Sequence, residues 1–235
     1  SAYPEAVREK DKDGNLPFFL AAAKTSSVEV LSALLSAYPE AVREKRNDGC
    51  LPLHLAAWNN SSVEVLSALL SAYPEAVREK DKDGDLPFFL AALNNSSVEV
   101  LSALLSAYPE AVREKRDDGS LPLHLAAVNN TSVEVLSALL SAYPEAVREK
   151  RNDGNLPLHL AAAKASSVEV LSALLAAYPE AVRQKRNDGS LPLHLTALNN
   201  SSVEVLSALL SAYPEAVREK DKDGNLPFHD AARYN

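Results

Sequence analysis

Cysteine is almost absent from this chain: Cys50 is the single one among 235 residues. No intramolecular disulfide can form, so packing and hydrogen bonding must hold the fold. A lone thiol fits a reducing compartment without proving one, and the localisation stays open. An excess of positive charge is also lacking. The net charge is -8 and the pI is near 5.2. A nucleic-acid backbone or an anionic membrane surface selects clusters of Lys and Arg, so neither is the expected partner. No apolar run approaches the ~18 residues that cross a bilayer, and no signal-peptide pattern opens the sequence. The catalytic and cofactor signatures are missing too: there is no G-x-S-x-G, no phosphate-binding glycine loop and no Cys-His arrangement. Acidic pairs such as Asp11 with Asp13 flank turns but lack the spacing and terminal Glu of a calcium loop. No enzyme, metal or cofactor is expected.

What the sequence has instead is a period. The string AYPEAVR starts at Ala2, Ala37, Ala72, Ala107, Ala142, Ala177 and Ala212, always 35 residues apart. Six full repeats fill 1-35, 36-70, 71-105, 106-140, 141-175 and 176-210, and a truncated seventh fills 211-235. A fixed period between about 20 and 50 residues marks a solenoid or propeller. No linker or composition shift interrupts it, so 1-235 reads as one repeat domain. Ser1 falls inside a repeat, so an upstream segment is expected to have been removed.

Each repeat can be read locally. DKDG or RNDG is a turn, with Gly14 and its equivalents at the position that needs a permissive backbone. LPFFLAAA or LPLHLAAV starts a short helix with Pro at its first position. Asn59-Asn60 ends it, since Asn tolerates the left-handed conformation. SSVE matches a capping box, with Ser61 as cap and Glu64 reaching back. The second helix follows, with Val63, Leu66, Leu69 and Leu70 as its apolar face, and Pro74 stops it. YPEAVREK is a return segment with one helical turn. A helix pair this short cannot bury its own apolar face, so neighbours must cover it. Four Asn-Asn-Ser/Thr stretches, from Asn59, Asn94, Asn129 and Asn199, contain glycosylation sequons. They read as helix-junction residues.

The Gly, the Pro-Leu-His triplet and the Ala-Ala pair of DGNLPLHLAA, in repeats two, four, five and six, resemble the ankyrin repeat with its D-x-x-G-x-T-P-L-H-x-A-A signature. The resemblance covers all seven repeats. It implies an all-α, right-handed curved solenoid of stacked helix-turn-helix repeats with projecting turns. It also implies a non-catalytic function: binding another protein through the turn tips and first helices. Three features depart from the family. Leu51 and its equivalents replace the Thr whose hydroxyl caps the first helix. Asn-Ser-Ser and Tyr-Pro-Glu-Ala-Val replace the usual junctions. The unit is 35 residues rather than 33.

Variation between repeats is confined to one half of the unit. Positions 2-8 and 27-35 never change in the six full repeats. Four others change once, at Thr131, Ala176, Gln184 and Thr196. The eight that vary repeatedly, 11, 12, 15, 18, 19, 23, 24 and 25, lie between the turn and the end of the first helix. Exposure alone does not explain this, since Ser67 and Glu75 should also face solvent. The expected partner-binding ridge therefore takes one residue set from each position. Positions 11 and 12 give Asp11, Lys12, Arg46, Asn47, Asp81, Lys82, Arg116, Asp117, Arg151, Asn152, Arg186 and Asn187. Position 15 gives Asn15, Cys50, Asp85, Ser120, Asn155 and Ser190, with the thiol expected to be exposed. Position 19 gives Phe19, His54 and Phe89. Positions 23 and 24 give Ala23, Lys24, Trp58, Asn59, Leu93, Asn94, Val128, Asn129, Lys164 and Leu198. Trp58 and Leu93 are the expected anchors, because aromatics dominate binding energy at such surfaces. Asp-Lys at positions 11 and 12 accompanies Phe at 18, whereas Arg with Asn or Asp accompanies Leu-His.

The five histidines, His54, His124, His159, His194 and His229, recur at multiples of the repeat. Stacked repeats place equivalents about 10 Å apart, too far for one zinc whose ligands sit ~2 Å away. They are expected to fix the turns by bonding backbone. At the ends, the first repeat keeps the apolar Val28, Leu31 and Leu34 and lacks a polar face, which favours end-to-end self-association. The last repeat carries Asp230 and Arg233 at apolar positions and resembles a polar cap. A designed consensus scaffold, or a self-associating array with no target, is the alternative reading.

Overall fold

The computed structural model describes residues 4-24, 28-94, 96-129, 131-164, 167-199 and 202-234; the side chains of Pro4, Arg233 and Tyr234 fall outside the described set. The described residues contain α-helices and short 3-10 helices and no strand. They divide into two compact units, Ser1–Val112 and Arg113–Asn235.

In Ser1–Val112 the first helices of the repeats are α1 (Pro17–Ala23), α3 (Pro52–Trp58) and α5 (Pro87–Leu93). The second helices are α2 (Val28–Ala37), α4 (Val63–Ala72) and α6 (Val98–Ala107). Like packs on like: α3 lies between α1 and α5, and α4 between α2 and α6, while each first helix also touches its own second helix. In Arg113–Asn235 the first helices are α7 (Pro122–Val128), α9 (Pro157–Ala163), α11 (Pro192–Leu198) and α13 (Pro227–Tyr234). The second helices are α8 (Val133–Ala142), α10 (Val168–Ala177) and α12 (Val203–Ala212), stacked by the same rule. A 3-10 turn such as Pro74–Arg78 closes each repeat.

The first helix begins at its Pro, which needs no N–H partner there. Leu51 sits at the N-cap in extended conformation and has no hydroxyl to offer. Its own N–H donates to Nδ1 of His54, 3.1 Å away, so the imidazole does half of the work of a capping box. The helix ends through Asn60, at φ +53 the non-glycine residue with positive φ among the described ones. The cap of the second helix falls one residue later than the sequence suggests. Ser62, not Ser61, accepts from Val65 N–H at 3.4 Å. Ser61 is fully buried and donates at 2.8 Å to the carbonyl of Ala22 in the preceding repeat. Ser96 does the same to Ala57. The buried face of α4 is Val65, Leu66 and Leu69; Val63 and Leu70 are half-buried.

The invariant half of the repeat is a set of couplings between neighbours. The guanidinium of Arg8, Arg43 and Arg78 lies 4.9–5.0 Å from the ring centre of the following Tyr38, Tyr73 and Tyr108. Arg113, Arg148 and Arg183 stack likewise at 4.7–5.2 Å on Tyr143, Tyr178 and Tyr213. Lys10–Glu44, Lys45–Glu79, Lys115–Glu149 and Lys185–Glu219 pair at 2.8–3.0 Å between consecutive repeats. Each exposed ion pair contributes little, and each cation–π contact about 0.5–1 kcal/mol. A change at any one of these positions loosens the interface that it bridges. Where Gln184 replaces the Glu, Lys150 turns instead to the carbonyl of Lys185, 3.1 Å away.

Candidate binding surface

The turn of each repeat is built around its glycine. Gly49 has φ +85, and its N–H donates to Arg46 O at 3.0 Å, while Arg46 N–H donates to Cys50 O at 3.0 Å. Successive turns are joined by backbone. Lys82 N–H donates to Asp48 O at 3.0 Å, and in the second unit Asn152, Asn187 and Lys222 repeat the bond to Asp118, Asp153 and Asp188.

The charge reversal at position 11 is solved inside the turn. Where Asp stands at 11, its carboxylate caps the turn: Asp11 accepts from the N–H groups of Asp13 and Asn15 at 2.9 and 2.8 Å, and Asp81 from those of Asp83 and Asp85. Where Arg stands at 11, the aspartate two residues later takes over. Asp48 accepts from Cys50 N–H at 3.0 Å, and Asp118, Asp153 and Asp188 accept from Ser120, Asn155 and Ser190. The arginine then pairs with that carboxylate, as Arg46 does with Asp48 at 3.1 Å and Arg186 with Asp188. This pair and the Ser190 N–H hold the Asp188 carboxyl well below the usual carboxylate range. Asn152 and Asn187 also donate their side-chain amides to the carbonyls of Asp117 and Asn152 in the preceding turns.

The varied positions therefore do not form one ridge. In each unit positions 11 and 12 form a rim of turn tips: in the first Asp11, Lys12, Asn47 and Lys82 are exposed and Arg46 and Asp81 half-buried, and in the second Asp117, Asn152 and Asn187 are exposed and Arg116, Arg151 and Arg186 half-buried. At the far end of the first helix, about 10 Å away along seven residues, lies a second rim. There, in the first unit, Lys24, Trp58, Asn59 and Asn94 are exposed and Ala23 and Leu93 half-buried; in the second unit Asn129, Lys164 and Leu198 are exposed and Val128 half-buried. Asn94 donates its amide to the carbonyl of Trp58. Between the rims the helix is closed: from Pro52 to Ala57 every residue is buried.

Eight residues expected on the ridge are corrected by this burial. Cys50, Asp85, Ser120, Asn155 and Ser190 are 0–7% exposed, because position 15 closes the turn. The Cys50 sulfur lies 3.6 Å from Asp81 of the next repeat, and burial followed by the nearby Asp48 and Asp81 charges pushes its thiol pKa up. Asn15 is half-buried, its amide on Asp11 at 2.9 Å. Phe19, His54 and Phe89 are fully buried, because position 19 points at the following repeat.

The histidines pin neighbouring repeats together. His54 Nε2 lies 3.1 Å from Asp85 O, and His194 Nε2 lies 3.3 Å from Asn225 O; both acceptors belong to turns that begin Asp-Lys. His124 and His159 face Arg-Asn turns and reach instead to Glu149 O and Gln184 O, at 3.0 and 2.9 Å. The carbonyl that the ring bonds thus goes with the type of the following turn. With Nδ1 accepting, Nε2 is the donor, so the ring is neutral. Burial lowers the pKa of all four, to about 4 in His124 and His159. Among the described residues no group of three or more metal-ligating side chains gathers, and no helix is long and apolar enough to cross a membrane.

No curated protein matches the chain's sequence. Its fold is similar to that of the crystal structure of the human ASB11 ankyrin repeat domain, with a TM-score of 0.78 at 21% identity, covering 92% of each chain. The family model described as ankyrin repeats (3 copies) matches residues 53–148, 88–182 and 158–235. The right-sized helix pairs, their like-on-like stacking and that match over most of the length agree: the chain belongs to the ankyrin repeat family.

Proposed function

We propose that this chain is a non-catalytic scaffold that binds another protein through the two exposed rims of varied residues. Ankyrin repeats are in general protein–protein interaction modules, which supports the class. One observation carries the choice of surface. Among the described residues away from the ends of the helix stacks, the large apolar side chains that stay exposed are Trp58, at 40%, and Leu198, at 37%. Both occupy position 23, where the six full repeats hold Ala, Trp, Leu, Val, Ala and Leu. Packing would have buried these side chains or replaced them with polar ones. Aromatic anchors ringed by adaptable polar groups, here Asn59 and Asn94, are the composition of a binding hot spot. The turn rim, with Lys12, Lys82 and Asn47, adds polar contacts that set orientation.

The test is the affinity of a partner recovered on the immobilised chain, measured for wild type and for Trp58→Ala. The expected loss is about 2 kcal/mol, with the unfolding midpoint unchanged. Equal affinity in the two proteins, or an unfolded variant, overturns the choice of surface.

A second reading, self-association through the first repeat, rests on its own observation. Leu20 is 45% exposed and Val30 49%, whereas the leucines and valines at the same positions of later repeats are at most 8% and 2% exposed. Sedimentation at rising concentration tests it: growth that Leu20→Lys abolishes supports an end-to-end array, and a monomer throughout refutes it.

A further inference from the structure

Each of the seven glycines follows an aspartate. A main chain rearranges most readily at Asp-Gly, because glycine has no side chain to shield its nitrogen from the neighbouring carboxyl carbon. All seven aspartates are exposed, so exposure does not sort them. Hydrogen bonding does. In the turns with Arg at position 11 the carboxylate is held from two sides. Asp48, Asp118, Asp153 and Asp188 accept from the N–H two residues on at 2.8–3.0 Å. A guanidinium meets the same group: Arg46 at 3.1 Å from Asp48, Arg151 at 3.3 Å from both Asp118 and Asp153, and Arg186 on Asp188. In the Asp-Lys turns the aspartate at position 11 takes over the capping and its neighbour is left idle. Asp11 accepts from the N–H groups of Asp13 and Asn15, Asp81 from those of Asp83 and Asp85, and Asp221 from that of Asn225 at 2.7 Å. The side-chain amide at position 15 follows the cap. Asn15 and Asn225 donate to Asp11 and Asp221, whereas Asn155 donates to Asp153. Among the described residues no hydrogen bond or ion pair reaches the carboxylates of Asp13, Asp83 and Asp223.

We propose that Asp13, Asp83 and Asp223 are sites of spontaneous isoaspartate formation, and that the four aspartates of the Arg turns are protected from it. The glycine nitrogen attacks the aspartate Cγ and forms a bond to it. The Cγ–OH bond breaks, the nitrogen gives up its proton, and one water leaves as a five-membered succinimide closes. A second water then opens the ring. Adding at the main-chain carbonyl, it breaks the bond from that carbon to nitrogen and leaves glycine attached to Cγ. Mass and oxidation state are unchanged. A carboxylate that accepts an N–H and faces a guanidinium must release both before its carbon can turn to the glycine nitrogen. It also stays ionised, which makes its oxygen a poor leaving group: the Arg186 guanidinium holds the Asp188 carboxyl well below the usual carboxylate range. The idle carboxylates have no such bonds to break. The product carries one methylene more in the main chain, inside the turn that Gly84 N–H closes on Asp81 O at 3.2 Å. It therefore reshapes the tips that present Lys12, Lys82 and Lys222, all exposed. The chemistry holds whether or not those tips bind a partner.

The test ages the intact chain in neutral buffer beside a second sample kept in denaturant, and digests both with trypsin. A Lys precedes Asp13, Asp83 and Asp223, so each begins a tryptic peptide of distinct sequence. Electron-transfer fragmentation tells isoaspartate from aspartate in each peptide. In denaturant all seven sites should convert at similar rates. In the folded chain Asp13, Asp83 and Asp223 should convert fastest, with the other four slower by roughly tenfold or more, the factor set by first breaking a charge-assisted hydrogen bond. Arg151→Asp is an exchange that the repeats make themselves. It should release Asp153, bringing its rate up to that of Asp83, while Asp188 stays slow. Equal rates at all seven sites of the folded chain overturn the proposal. So does a folded chain without isoaspartate at the three sites once the denatured sample has formed it. A folded Arg151→Asp variant in which Asp153 stays slow overturns it as well; if that variant unfolds, the comparison within the wild-type chain decides.

Discussion

His54 and Asp85 are joined across two repeats: the imidazole Nε2 meets the Asp85 carbonyl at 3.1 Å while Nδ1 accepts from Leu51 N–H at 3.1 Å. The ring can satisfy both only when neutral. Protonation would place a hydrogen on Nδ1 against the Leu51 N–H and bury a charge, which is why the folded pKa falls below the ordinary value near 6.5.

A pH dependence follows. The folded-state pKa is about 4 for His124 and His159, and lowered for His54 and His194. Because the unfolded chain takes up these protons first, this stability is whole above about pH 6.5 and is lost as pH falls toward 4. Each of His124 and His159 costs on the order of 2–3 kcal/mol by pH 4. The unfolding midpoint should therefore drop steeply between pH 7 and 4.5. His159→Phe, which installs the side chain that Phe19 and Phe89 use at the same position, should flatten part of that drop. A midpoint flat over this range refutes the account.

The two serines of each junction should fail differently. Ser62→Ala removes a helix cap and Ser61→Ala a buried bond to Ala22 O, each costing about 1 kcal/mol. Ser62 is exposed and its loss is local, so Thr, Asp or Asn should restore it. Ser61 is buried against the preceding repeat, so Asp there should be worse than Ala. Denaturant unfolding of the six variants separates the two roles.

Much of the fold was legible from short-range chemistry. Pro at the first helical position, Asn60 in the left-handed region and Pro74 as a stop are local rules, and they placed the helix pairs. A histidine that bonds backbone was also readable from its neighbours. What could not be read was decided by stacking. Ser61 and Ser62 are the same residue type, and only the position of Ala22 in the preceding repeat tells the inter-repeat donor from the cap. Cys50, Asp85 and Ser120 look like surface residues in a turn, and the next turn closes over them. The exchange of Asp81 for Arg46 looked like a reversal presented to a partner. The carboxylate of Asp48 absorbs it within the turn. Trp58 remained on the surface because the helix ends there and nothing in the repeat reaches past it.

Cys50 should be a slow thiol. It is 7% exposed, and burial with the adjacent Asp48 and Asp81 disfavours the thiolate that reacts. Labelling by a disulfide reagent at pH 8 should run roughly a hundredfold or more below the rate in denaturant, limited by local opening. Stoichiometric labelling of the native chain within mixing time would place the sulfur outside.

The turn glycines separate strain from crowding. Gly49 and Gly224 share positive φ values, +85 and +82, so alanine at either should cost about 1–2 kcal/mol for the left-handed backbone alone. Their surroundings differ. A Cβ on Gly49 would stand 2.9 Å from the backbone nitrogen of Lys82, the atom that bonds Asp48 O, whereas one on Gly224 meets nothing within 4 Å. Gly49→Ala must therefore also push the next turn away and break that bond. It should destabilise the chain by about 1 kcal/mol more than Gly224→Ala, the lost inter-turn hydrogen bond being part of the difference. Equal midpoints in denaturant would mean that the turns are not held at the distance their backbones show, and that the stack is looser along its turn edge than along its helices.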